Sequence, residues 1–186
     1  MKKLNWGILG TGWIAHEMGE ALTAVNGEIY AVCNVRLAGA QQYAEEFGVQ
    51  KVYGSPDEMF ADENVDIVYI ATPHNLHYEA MLKALKAGKH VFCEKSITVN
   101  SRQLEECAAL AEEKGLIICD GTTLLHMPLY KKLRQIIEEG AIGDVKMVQV
   151  NFGSCKEYDV NNRFFSKELA GKAAETRRCG GRERVH

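Results

Sequence analysis

Three short strings in this 186-residue chain carry residue types that could bind or transform a ligand. Gly10-Thr11-Gly12-Trp13-Ile14-Ala15 fits the pattern G-x-G-x-x-A. In such a string the first glycine permits a tight turn and the second lets the backbone approach a pyrophosphate. The small third residue lets a helix pack closely on a strand. A helix opening there would aim its N–H groups at phosphate, so the expected contacts of this turn are Gly10, Gly12, Trp13 and Ile14. The second string is Ala71-Thr72-Pro73-His74-Asn75-Leu76-His77 and the third is Cys93-Glu94-Lys95-Ser96. An ammonium in the third string could hydrogen-bond a reacting oxygen, or as an amine take up a proton during alcohol oxidation. His74 and His77, three apart, could suggest a metal pair, but no third ligand lies nearby. Contacts to a cofactor from this loop are the better expectation, with capping of the following helix the alternative for His77.

These strings acquire meaning from the elements that would hold them. Leu4–Leu9 is a short apolar run ending in glycine, and 13–25 follows with helical spacing. A strand over 28–34, a helix over 37–47 closed by Gly48, and a short strand over 51–53 come next. Ser55-Pro56-Asp57-Glu58 reads as an N-cap, a first-turn proline and early acids, opening a helix over 56–61. Strands over 65–71, 90–93 and 116–119 alternate with helices over 76–87 and 100–114. Strands apolar on both faces, alternating with helices, predict an α/β fold: a doubly wound, Rossmann-type parallel sheet. Both the Thr72-Pro73 and Glu94-Lys95 pairs then fall at carboxyl ends of parallel strands, where ligands of such sheets bind.

The position that reads an adenosine ribose falls about 20 residues past the glycine turn. Asn34 stands there, with Arg36 two positions on. A neutral residue lacks the charge by which Asp or Glu repels a 2′-phosphate, so NAD and NADP are both admissible. Arg36 is either a phosphate contact or a solvated loop residue.

Composition excludes several classes. A net charge of −3 gives no general sign of a nucleic-acid or membrane surface, and the apolar runs are strand-sized. Six cysteines without a C-x-x-C pair, and no signal-peptide pattern, predict a reduced, cytoplasmic setting.

Together with the glycine turn, three segments resemble the glucose–fructose oxidoreductase/inositol dehydrogenase/MocA family. They are Ala71 to His77, Ala87-Gly88-Lys89-His90-Val91-Phe92-Cys93-Glu94-Lys95, and His126-Met127-Pro128-Leu129-Tyr130-Lys131-Lys132. The resemblance covers roughly residues 4–171, nearest to members that act as sugar or dihydrodiol dehydrogenases. It implies NAD or NADP as cofactor and a sugar, cyclitol or dihydrodiol hydroxyl as the substrate group. It implies Lys95 as acid/base, with Glu94 orienting it or touching the nicotinamide ribose; Thr72, Pro73, His74 and His77, on the strand-end loop, are expected on the cofactor. Homo-oligomers are usual in the family, although this chain need not form one. One departure stands out: the family's proline after the lysine is Ser96 here. A serine leaves unfixed the backbone that proline would hold.

After Gly121 the pattern changes. A helix over 128–139 and an alternating strand over 146–152 predict the start of an α+β second domain, followed by a loop over 153–170. The expected division is 1–121 for the dinucleotide domain, 122–171 for the beginning of an incomplete substrate or oligomerisation domain, and 172–186 for an atypical tail. That tail holds five Lys or Arg against two Glu, and four of the eight arginines. Its Ala, Arg and Gly content suits an out-of-frame reading, and a genuine basic tail is the alternative. The resemblance then implies either an active oxidoreductase or a catalytically inactive dinucleotide-binding fragment.

Overall fold

The computed structural model describes residues 3–151 and Gly153. Two compact units divide at Gly121/Thr122.

The first unit is built on six parallel strands: β1 (Asn5–Leu9), β2 (Glu28–Cys33), β3 (Lys51–Tyr53), β4 (Ile67–Ile70), β5 (His90–Cys93) and β6 (Ile118–Asp120). Their order is β3-β2-β1-β4-β5-β6. Five helices connect them: α1 (Trp13–Ala24), α2 (Leu37–Phe47), α3 (Pro56–Ala61), α4 (His77–Lys86) and α5 (Ser101–Lys114). Side chains alternate across a strand, so each apolar strand feeds two cores. Leu9, Val68, Ile70 and Val91 face one way, onto Met59 and Phe60 of α3, Met81 and Leu85 of α4 and Cys107 of α5. Ile8, Val32 and Tyr69 face the other way, onto Ala15 and Leu22 of α1 and Tyr43 of α2. Burying both faces is what makes continuous apolar strands viable, and the result is the doubly wound sheet.

Local signals set most boundaries. Gly48 and Gly115 end α2 and α5 in the left-handed conformation, and the Asn100 side chain accepts from Gln103 N at 3.0 Å to cap α5. Ser55 occupies the N-cap of α3 but makes no side-chain capping bond, so Pro56 and the acids Asp57 and Glu58 carry that start. The expected strand over 116–119 begins two residues later, at Ile118. Leu116 N donates to Ala111 O at 2.8 Å, which keeps the chain on the helix end. The turn before α4 is a 3-10 segment, His74–Leu76.

The second unit contains a 3-10 turn (Thr123–His126) and helix α6 (Pro128–Glu138). The strand expected from Lys146 is not formed over Lys146–Asn151, where every residue is exposed. An isolated strand leaves its backbone groups unpaired, and the described residues offer this one no partner. Phe152, the expected loop over 153–170 apart from Gly153, and the segment 172–186 lie outside the described residues. Among the described residues no helix is long and apolar enough to cross a membrane.

Candidate dinucleotide site

The strand order creates a crevice. The chain leaves β1 for β2 on one side, then returns to lay β4 on the other, so the connections after β1 and β4 diverge. Two backbone bonds draw the strand ends together: Gly10 N donates to Cys33 O at 2.9 Å, and Ala71 N donates to Leu9 O at 2.8 Å. Gly10 has φ +96°, and a Cβ there would lie 2.8 Å from Ala71 O. Only glycine meets both demands. Gly12 is the N-cap of α1, in extended conformation and without a side-chain cap. Its carbonyl accepts from Ala15 N at 2.9 Å and His16 N at 3.2 Å. Trp13 is exposed, Ile14 half-buried and Ala15 fully buried. The helix start is thus presented to solvent with small residues below it.

At the β2 end, the Asn34 side chain is already engaged. Its Nδ2 donates to Thr11 Oγ1, and its Oδ1 accepts from Arg36 N at 3.1 Å. Asn34 therefore ties the glycine turn to the β2–α2 connection, a neutral bridge where an acid would carry charge. The Arg36 side chain is exposed and forms no ion pair among the described residues.

At the other end, Glu94 follows β5 and is 9% exposed, low for a carboxylate. Tyr69 Oη of β4 donates to Glu94 Oε1 at 2.6 Å, and Lys95 N donates to Oε2 at 3.2 Å. Burial, reinforced by Glu94, pushes the Tyr69 phenol far above its usual range, so it stays a donor. Gly121 closes this socket: a Cβ there would stand 2.8 Å from Glu94 Oε1. Lys95 is exposed, and the Lys95–Ser96 peptide is cis. No Glu94–Lys95 ion pair occurs among the described residues.

His77 differs from both sequence expectations. It is fully buried as the first residue of α4, and its side chain does not cap that helix. Its Nε2 lies 2.8 Å from Thr72 O and its Nδ1 lies 2.9 Å from Ser96 O. With no exposed surface and both nitrogens engaged, the ring belongs to the scaffold behind the crevice. His74 is exposed on the loop, its ring edge-on to His77 at 5.5 Å. Pro73 is half-buried, and Thr72 Oγ1 is a buried hydroxyl without a hydrogen-bond partner.

Sequence reasoning missed Tyr69 and Gly121. A tyrosine one residue before the end of an apolar strand, beside a carboxylate on the next strand end, was the available signal for the first. For Gly121 there was none, because its neighbour Glu94 is distant in sequence.

The residues fit a dinucleotide. A glycine that must lack a Cβ, an uncapped 12-residue helix start and an orphaned threonine hydroxyl converge on one crevice. Gly10, Gly12, Trp13 and Ile14 would hold the pyrophosphate, and Asn34 and Arg36 would lie at the ribose end. Among the described residues no group of three or more His, Cys, Asp or Glu is placed for a metal.

Residues 4–122 match the family model described as oxidoreductase family, NAD-binding Rossmann fold (Gfo/Idh/MocA). The chain is 35% identical to mouse trans-1,2-dihydrobenzene-1,2-diol dehydrogenase over 153 residues, 81% of this chain and 46% of the relative. It is 34% identical to the NADP-dependent D-xylose 1-dehydrogenase of Hypocrea jecorina, over 91% of this chain and 49% of that one. Among solved structures, a 3-ketoreductase from Actinomadura kijaniata in complex with TDP-benzene and NADP superposes with TM-score 0.72 at 32% identity, covering 77% of this chain and 46% of that one. A scyllo-inositol dehydrogenase from Lactobacillus casei with NAD(H) and scyllo-inositol gives TM-score 0.72 at 27% identity, over 77% and 43%. The chain spans about half the length of the curated relatives it matches. A sheet of this order, a glycine turn at its switch point and a family match over residues 4–122 agree: the chain belongs to the Gfo/Idh/MocA oxidoreductase family.

Proposed function

We propose that this chain provides the cofactor-binding part of an NAD(P)-dependent dehydrogenase acting on a hydroxyl of a sugar, cyclitol or dihydrodiol. The carrying observation is the crevice at the β1/β4 switch point, with Gly10 pressed against Ala71 and Lys95 exposed at the end of β5. The chemistry a nicotinamide would supply in this crevice is hydride transfer. The chain's own residues bind and orient. The α1 start would hold the pyrophosphate through backbone N–H groups. Glu94, anchored by Tyr69, fixes the start of the loop on which Lys95 rides. In alcohol oxidation the Lys95 amine takes the hydroxyl proton, and in the reverse direction its ammonium returns it. The relatives named for dihydrodiols, xylose and inositol support this substrate class.

The test has two parts. Fluorescence titration should show NADH or NADPH binding by the chain, abolished in Gly12→Val. In a protein with measurable turnover, Lys95→Ala should lower kcat by ~10²–10⁴ with cofactor affinity nearly intact. Absence of any binding to folded protein, or wild-type turnover in the lysine variant, would refute the respective part.

A second reading is that the 186-residue polypeptide binds cofactor without turning substrate over. It is favoured by the absence of any buried residue among the described residues from Thr122 to Asn151. Within that unit the described residues form no core of their own.

A further inference from the structure

We propose that His77 is a positioning residue: a buried two-ended clamp that joins the loops after β4 and β5 and so sets the nicotinamide end of the site. The inference rests on the functional reading above and adds a residue that does not itself touch cofactor or substrate. The two loops leave neighbouring parallel strands, paired Ile67↔His90 through Ile70↔Cys93, and beyond Cys93 the sheet ladder no longer fixes them. One cross-link there is Glu94 N donating to Ile70 O at 2.9 Å. The next is His77, with one ring nitrogen 2.8 Å from Thr72 O and the other 2.9 Å from Ser96 O. A carbonyl oxygen only accepts and a neutral imidazole carries one N–H, so the neutral ring donates to one of the two carbonyls and packs against the other, and only the imidazolium donates to both.

This position matters because the loop it holds is short and functional. Tyr69 anchors the loop at Glu94, and His77 anchors it at Ser96; Lys95 is the residue between. Lys95 itself is exposed, so its aim is set by its two neighbours rather than by packing around its own side chain. The clamp's other end, Thr72, carries the orphaned buried hydroxyl. One imidazole thus fixes the backbone on both sides of the place where the nicotinamide would lie. Removing the ring deprives at least one of these carbonyls of its donor and leaves a cavity between the loops, which drives them to move.

The experiment compares a whole dinucleotide with its adenine half, using the full 186-residue chain. Dissociation constants for NADPH and NADH are measured alongside those for ADP-ribose and 2′-phospho-ADP-ribose, in wild type, His77→Ala and His77→Gln. The expected result is a loss of about tenfold for the dinucleotides in His77→Ala, with the adenine halves changed less than about threefold. His77→Gln, which spans one contact but not both, should fall between. Equal losses for dinucleotide and adenine half would overturn the clamp and leave His77 an ordinary core residue. So would unchanged dinucleotide affinity. Should His77→Ala not fold, the same split read in His77→Gln decides the matter. Failure of the wild type to bind any of the four ligands would instead strike the functional reading itself.

Discussion

Replacing Gly10 and Gly48 by alanine separates two costs that occur together at the switch point. Both glycines have positive φ, +96° at Gly10 and +68° at Gly48. A Cβ at Gly48 meets nothing within 4 Å, whereas at Gly10 it meets Ala71 O at 2.8 Å and Ala71 C at 3.0 Å. Gly48→Ala therefore incurs conformational strain alone, about 1 kcal/mol. Gly10→Ala incurs that strain plus a backbone collision. Relief is blocked on both sides, because Gly10 N is bonded to Cys33 O and Ala71 N to Leu9 O. Forced overpacking adds about 1–3 kcal/mol, for a total near 3 kcal/mol. In urea, with a slope of about 2 kcal/mol/M, the midpoint should fall by about 1.5 M for Gly10→Ala and about 0.5 M for Gly48→Ala. Cofactor titration should show wild-type affinity in Gly48→Ala and a loss of at least about tenfold in Gly10→Ala, since the displaced turn carries the phosphate site. Equal midpoints for the two variants, with cofactor affinity retained in both, would refute the argument that the Gly10–Ala71 contact shapes the crevice.

Three further outcomes are expected. Arg36→Ala should weaken NADPH more than NADH in parallel titrations; an equal effect would remove Arg36 from the ribose end. Burial works against the Asp62 carboxylate, but hydrogen bonds from Asn64 and Tyr53 outweigh it and hold the pKa at about 2, below the ordinary 3.8. A depressed carboxylate stabilises the fold above its unfolded pKa and loses that contribution as pH falls through the folded one. Stability measured between pH 4 and pH 2 should therefore drop more steeply in wild type than in Asp62→Asn, and parallel curves would refute the assignment. With a thiol reagent at neutral pH, Cys119 should react first among the described cysteines. Cys33 and Cys107 are buried with pKa values pushed up to about 12 and about 11, and burial raises Cys93 as well. Rapid labelling of Cys93 mapped by mass spectrometry would contradict its burial.

Much of the first unit was legible because its signals are local. Helix α2, strands β3 and β5 and helix α3 occupy the expected residues, set by apolar runs and by Gly48 and Pro56. The glycine turn was legible for the same reason, since strand, turn and helix start are contiguous. The socket around Glu94 was not, because Tyr69, Glu94 and Gly121 meet only after three strands align. His77 shows the limit most clearly. Its place on the loop after β4 invited a cofactor-facing reading, but its burial is decided by the packing of α4 and the loop beyond β5. The strand expected from Lys146 failed for a related reason: alternation records a preference for a partner, and none is present among the described residues.

The crossover beside β1 also governs the order in which the protein can assemble. β1 meets β2 through Trp6↔Ile29, closing a loop of about 20 residues, but it meets β4 through Trp6↔Ile67, closing one of about 60. The longer closure costs roughly 1 kcal/mol more in chain entropy, and rates fall with such non-local pairing. The first half of the sheet can thus form early from near neighbours, while the second half waits for β4 to find its place at the centre. Gly10 gains its contact with Ala71 only at that moment. The ligand crevice therefore cannot exist until that long-range pairing is made. A refolding experiment that follows cofactor fluorescence would therefore time the β1–β4 pairing.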